Sequence, residues 1–293
     1  MHPFWNFINE RHAIYIRKDV ENQPPPWTKD LILKEYKFTN IFRELDRTTI
    51  WLREHVREKY ADQKDLLFFN IATFRMYGTM ESGAAHGWIK TWDRERIIKA
   101  DMARIADGNK VFTGAYVITN AGQKRPKVEI VVNDFLTPLW YDKRKLYAQF
   151  RDCKSLEVAW RLLGKYPGWG GGGFMAYELI SDLRWTPILD DATDIMTWAN
   201  AGPGAIRGLN RYHGRPVNRR ETLQIPKAQS VEEMRHLLAI SPKYLGSHVP
   251  KLEMREVEHT LCEFDKYMRV KNGEGRPRSK YNYETWYSIR GRN

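Results

Sequence analysis

Two glycine-rich junctions, with acids between them, carry the first chemical signal. Pro167-Gly168-Trp169 runs into Gly170 to Gly173 and then Phe174-Met175-Ala176-Tyr177-Glu178. Gly202-Pro203-Gly204-Ala205 opens the run Ile206-Arg207-Gly208-Leu209-Asn210-Arg211. Glycine-rich backbone ahead of a helix leaves N–H groups and the positive end of the helix dipole facing outward, where a phosphate docks. Gly168, Gly170, Gly204, Arg207 and Arg211 are therefore candidate phosphate contacts. Asp190, Asp191 and Asp194 place carboxylates between the two junctions. The same glycines also serve as plain caps and turns. Nucleotide fingerprints fail at both places. No Gly-Lys-Ser/Thr closes the first turn, and the third glycine of a dinucleotide motif falls on Arg207 in the second.

A second constellation lies near the start of the chain. Ile41, Phe42, Leu45, Leu52 and Val56 follow helical spacing, and Asn40, Arg43, Asp46 and Arg47 fall on a neighbouring face. A surface Arg–Asp ladder accounts for that spacing. So does a polar strip on a cleft, with Phe38, Asn40, Arg43 and Asp46 meeting a base. Tyr116 and Trp198 are candidate stacking rings, although rings of this kind more often belong to a core. Glu263 and Lys266 form a polar pair at helical spacing, and Arg75 is a cation inside an apolar run.

Helices must position most of these groups. Apolar periodicity predicts them over 1–22, 38–56, 64–106 and 142–163, from Ser230 to Ile240, and around Met254 to Met268. Pro24-Pro25-Pro26 breaks the first. Thr28 reads as an N-cap, and Ser230 with Glu233 as a capping box. Residues 111–132 change period around Asn120-Ala121-Gly122, which predicts an inserted β-hairpin with a basic tip at Gln123, Lys124 and Arg125. Arg215 to Gln229, with Arg219 and Arg220, reads as a loop. Arg269 to Arg292 reads as a basic tail with Tyr281, Tyr283, Trp286 and Tyr287. The fold class expected is mostly α in two lobes, one over 23–140 and one over 141–293 together with 1–22, working as a single unit.

Composition narrows the partners. The 293 residues carry 48 Lys and Arg against 36 Asp and Glu, a net charge of +12 that favours a polyanion, nucleic acid first. Eleven Trp, 15 Tyr and 12 Phe supply rings for stacking on unpaired bases. Two cysteines, Cys153 and Cys262, build no disulfide framework and point to a reducing cytoplasm. Eight histidines occur singly, without metal-ligand spacing, so neither metal nor cofactor is expected. No apolar run is long enough to span a bilayer. A monomer is expected.

Several motifs together resemble a known family. The stretch Pro26-Trp27-Thr28 through Tyr36-Lys37-Phe38-Thr39-Asn40-Ile41-Phe42-Arg43-Glu44-Leu45-Asp46-Arg47 resembles the opening of the helical domain of phage 5-hydroxymethyluracil DNA kinases, the α-glutamyl/putrescinyl thymine pyrophosphorylase or amino acid:DNA transferase group. Thr113-Gly114-Ala115-Tyr116, Gly173-Phe174-Met175-Ala176-Tyr177 with Asp182-Leu183, Gly202 to Leu209 and Leu261-Cys262-Glu263-Phe264-Asp265-Lys266-Tyr267 resemble it in order. The resemblance implies double-stranded DNA with modified pyrimidines as partner, and a distant kinship to helix–hairpin–helix DNA glycosylases. On that kinship Pro167-Gly168-Trp169-Gly170 stands for the phosphate-gripping hairpin, and Asp194 for the catalytic carboxylate beneath a flipped nucleoside. Asn40 and Arg43 then contact the base or its substituent. The expected activity is excision of a hydroxymethylated or glucosylated pyrimidine by hydrolysis of the N-glycosidic bond. The alternatives are displacement of pyrophosphate from a 5-pyrophosphomethyl pyrimidine by an amine or amino acid, and a non-enzymatic reader of modified DNA.

Overall fold

Helix α4 (Lys64–Tyr77) shows how the apolar periodicity folds. Every residue from Leu67 to Tyr77 is buried. A helix buried all round lies inside a bundle, and α8 (Thr137–Cys153) and α10 (Phe174–Leu183) pack against it. The computed structural model describes residues 1–218, 225–277 and 279–284. Arg219, Arg220, Trp286 and Tyr287 lie outside the described residues.

The chain divides into two units, Met1–Asp46 with Met196–Asn293, and Arg47–Ile195. In the first, α1 (Pro3–Tyr15) ends in a π-helical turn, Ile16–Val20, and the short α2 (Leu31–Glu35) follows the triple proline. Helices α11 (Pro203–Tyr212), α12 (Lys227–Ile240) and α13 (Met254–Lys271) complete it. Phe4, Trp5 and Ile8 of α1, Leu209 of α11, Met234 and Leu237 of α12 and Leu261 and Phe264 of α13 are buried. The second unit adds α3 (Arg47–Leu52), α5 (Met80–His86), α6 (Arg94–Ala106), α7 (Lys127–Ile130) and α9 (Leu156–Leu163) to α4, α8 and α10.

Residues 23–46 thus group with α13, and 141–195 with α4, in contrast to the lobes drawn from sequence. Tyr267 donates to Asp30 Oδ2 at 2.6 Å, and Tyr36 bridges Lys280, which ties the segment 30–38 to the C-terminal part. Sequence proximity could not reveal those long-range links.

The expected β-hairpin is absent: among the described residues there is no strand, only that isolated bridge. Residues 111–126 are irregular, and 127–153 is one helical run, α7 and α8 joined by the π-helical turn Val131–Leu136. Val128, Val131, Val132, Phe135, Leu136 and Leu139 are all buried. Their three- and four-residue spacing is helical, and the short window Val128 to Val132 hid it among β-branched residues. Two caps also differ. Asp30, not Thr28, accepts from the N–H groups of Ile32 and Leu33 at the start of α2. Ser230 lies inside α12, whereas Glu253 and Glu256 form a capping box on α13.

Candidate functional site

Three motifs that are far apart in sequence meet on α13. The first is the loop after α2. Arg11 of α1 is buried, and its guanidinium donates to the carbonyls of Phe38 and Thr39 and to Asn40 Oδ1 at 2.7 Å. The Asn40 amide group donates to the Leu45 carbonyl, and its backbone N–H to Asp46 Oδ1 at 2.9 Å. Arg43 pairs with Asp46 at 3.3 Å. Burial pushes the Asp46 carboxyl up, against the pull of Arg43. Phe38, Asn40, Arg43 and Asp46, singled out from sequence, are therefore brought together. Asn40 spends both ends of its amide holding the loop, and Phe38 is largely buried.

One face of α13 supports that loop. Glu263 Oε2 accepts the Thr39 N–H at 3.0 Å, and His259 Nε2 lies 2.7 Å from the Thr39 hydroxyl. Lys266 sits 2.5 Å from Glu263 and 4.6 Å from the centre of the Phe38 ring. Positions 259, 263 and 266 follow i, i+4, i+7 spacing, so a carboxylate, an ammonium and an imidazole share one stripe. The spacing of Glu263 and Lys266 was visible in sequence. His259 and Arg11 were not, because their partners lie hundreds or tens of residues away.

The adjacent stripe of α13 meets α11. Asp265, fully buried, accepts from Arg207 Nε at 2.9 Å and from Arg211 Nε at 2.8 Å, with Arg269 Nε 3.5 Å away. Arg211 also pairs with Glu274 and is almost entirely enclosed. Gly204 and Gly208 explain why α11 can lie so close. A Cβ on Gly208 would sit 2.2 Å from the Leu261 carbonyl oxygen, and one on Gly204 would sit 2.3 Å from Cys262 Sγ. Gly204, read from sequence as a phosphate contact, is a helix-packing glycine.

The other sequence-selected residues have local structural work. In the second unit, Gly168 adopts φ +81° with the Phe135 ring where a Cβ would go, and a Cβ on Gly170 would strike the Gly164 carbonyl oxygen. Trp169 between them is fully buried and donates to the Phe135 carbonyl. These glycines let the chain turn around a buried indole. Asp194 accepts from Ser155 Oγ at 2.7 Å and from the N–H groups of Leu156 and Glu157 at 2.7 and 3.0 Å. It therefore caps α9 rather than presenting a carboxylate to a sugar. Asp191 pairs with Lys154 on the surface, which holds its carboxyl down. Tyr116 donates to the Arg75 carbonyl at 2.6 Å and meets Phe174 edge-on. Arg75 is buried in a bidentate pair with Asp182, both contacts at 2.7 Å, with Glu178 at 3.6 Å. Trp198, in the first unit, is buried.

Among the described residues no group of three or more His, Cys, Asp or Glu is placed to hold a metal, and no helix is long and apolar enough to cross a membrane.

Comparisons with known proteins bear on the chemistry. The chain is 28% identical to a 5-hmdU DNA kinase of Bacillus phage SP10 over 313 aligned positions, which cover 95% of this chain and 48% of that protein. It therefore spans about half the length of that relative. No solved structure matches. A kinase of 5-hmdU in DNA acts on a base that stays on its sugar. That relationship overturns the expectation of base excision, and the capping role of Asp194 removes the carboxylate on which excision was to depend. Kinship to glycosylases gains no support from these comparisons. The family model for the 5-hmdU DNA kinase helical domain matches residues 1–276, and the chain belongs to that family.

Proposed function

We propose that the chain binds DNA containing a 5-hydroxymethyl-type pyrimidine and takes part in group transfer at the 5-substituent, leaving the base on its sugar. One observation carries the reading. The motifs at 36–46, 202–209 and 261–267 converge on neighbouring stripes of α13, one bearing Glu263, Lys266 and His259 and the other an arginine cluster. Cations suit a phosphorylated substituent, in the ground state and as it departs. A carboxylate or imidazole can take the proton that an incoming nucleophile loses.

The step favoured is displacement of pyrophosphate from a 5-pyrophosphomethyl group by an amine or amino acid. The nitrogen lone pair forms a C–N bond at the 5-methylene as the C–O bond breaks. Pyrophosphate leaves with that electron pair, and the ammonium proton passes to the Glu263 or His259 side. Arg43, at the rim of the Phe38–Asp46 loop, is assigned to the substituent, and Asn40 to holding the loop in register. Phosphorylation of the 5-hydroxyl is the second reading, favoured by the relative's activity. The Gly-Lys-Ser/Thr phosphate loop that would serve a nucleoside triphosphate does not occur in these 293 residues.

The test uses duplexes carrying 5-hydroxymethyl-, 5-phosphomethyl- or 5-pyrophosphomethyl-deoxyuridine. One arm supplies ATP and another supplies amines and amino acids, and digested nucleosides are weighed by mass spectrometry. A new 5-substituted nucleoside is expected. Unchanged nucleosides in every arm, with DNA still bound, would reduce the protein to a reader of modified DNA.

A further inference from the structure

We infer that Arg207 and Arg269 form an oxyanion site, with the buried Asp265 as its positioning residue. The inference deepens the reading above, on which the choice of DNA probes rests. Three guanidinium groups surround Asp265, where one carboxylate can balance one charge. Glu274 accounts for a second, through Arg211, so the cluster keeps an excess positive charge of 3 − 2 = +1. A cluster serving only to join α11 to α13 would not need the third arginine.

The way the arginines are held is equally informative. Arg211 is used up: Nε goes to Asp265, and the terminal nitrogens go to Glu274. Arg207 and Arg269 turn only Nε toward Asp265, at 2.9 and 3.5 Å. Among the described residues their terminal nitrogens have no hydrogen-bond partner, and 31% and 43% of the two side chains are open to solvent. Arg207 is tethered by its Nε hydrogen bond and Arg269 by ion-pair contact alone. A guanidinium fork held at that end with open terminal nitrogens is geometry for a phosphate, whose oxygens accept two parallel N–H bonds. The tether lowers the cost of ordering the long side chains when the anion arrives. Two helices supply the pair, Arg207 from α11 and Arg269 from α13. Their proximity depends on Gly204 and Gly208, which bring the backbones together.

A DNA backbone phosphate and a phosphorylated 5-substituent offer the same oxygens, so the experiment separates them. Binding to an unmodified duplex and to one carrying 5-phosphomethyl-deoxyuridine is measured against salt for the wild type, Arg207→Gln and Arg269→Gln, with inorganic pyrophosphate as competitor. Each substitution is expected to weaken binding about tenfold at low salt and to lower the slope of log affinity against log salt by about one. Equal losses on both duplexes assign the site to the backbone. Loss confined to the modified duplex, together with weaker competition by pyrophosphate, assigns it to the substituent. Both substitutions lie at partly exposed positions, and unchanged thermal melting confirms that the fold persists. Folded variants that bind both duplexes and pyrophosphate like the wild type would overturn the site. If the variants lose binding while the wild type transfers no group, the site stands and the proposed reaction falls.

Discussion

Glu256 makes the pH dependence of this fold predictable. It occupies the first turn of α13, where Oε2 accepts the Glu253 N–H at 3.0 Å, and it is 5% exposed. Burial, and then the neighbouring Glu253 carboxylate, raise its pKa from 4.5 to about 7. Below 4.5 the group is protonated in both folded and unfolded chains, so it adds no pH dependence. Between 4.5 and about 7 the folded chain keeps a proton that the unfolded chain has lost, so stability falls as pH rises. Above about 7 the full cost remains. At about 1.4 kcal/mol per pH unit the separation amounts to roughly 3 kcal/mol. Glu256→Gln keeps an oxygen to accept the Glu253 N–H and has no charge to bury. It should match the wild type near pH 4.5 and exceed it by roughly 3 kcal/mol at pH 8.5, an upper bound because water penetration relieves part of the burial cost. Urea unfolding at the two pH values, followed by tryptophan fluorescence, reads the difference. Titration of the Glu256 carboxyl by carbon NMR should show a midpoint near neutrality. A midpoint in the ordinary carboxylate range, or a variant no more stable at pH 8.5 than at pH 4.5 relative to the wild type, would refute the argument.

Two further substitutions separate structure from chemistry. Asp194→Ala removes the carboxylate that accepts the Leu156 and Glu157 N–H groups of α9, while the Ser155 hydroxyl stays on the Val158 N–H. It should cost about 1 kcal/mol in unfolding free energy and leave the products made from modified DNA unchanged. Loss of product formation by a folded Asp194→Ala protein would restore this residue to the chemistry. Gly208→Ala places a methyl group where the Leu261 carbonyl oxygen lies. Overpacking of this kind costs about 1–3 kcal/mol, and pushing α11 from α13 should also weaken DNA binding by drawing Arg207 from Asp265. Unaltered melting and binding in that variant would show that the helices do not need the contact.

The sequence by itself determined the helical class, because apolar residues at three- and four-residue spacing admit little else over stretches such as Leu67 to Tyr77. It also determined the family, since order and residue type suffice for that, and the net charge of +12. Phe38, Asn40, Arg43 and Asp46 were legible as one local group because they are close in the chain, but the helical spacing read over them misled. Residues 37–46 are irregular apart from the 3-10 turn Arg43–Leu45, and the helix starts at Arg47. Tertiary structure decided the roles of the glycines and acids. A glycine reads alike in sequence whether it frees N–H groups for a phosphate or makes room for a backbone, and only the Phe135 ring beside Gly168 and the Leu261 carbonyl beside Gly208 tell the two apart. Asp194 likewise looks the same whether it faces a sugar or the end of α9, 38 residues away in the chain. The arginines around Asp265 come from segments more than 50 residues apart. No periodicity in the chain encodes that meeting. It arises because two small residues let two helices touch, and burial of the carboxylate then demands cations around it.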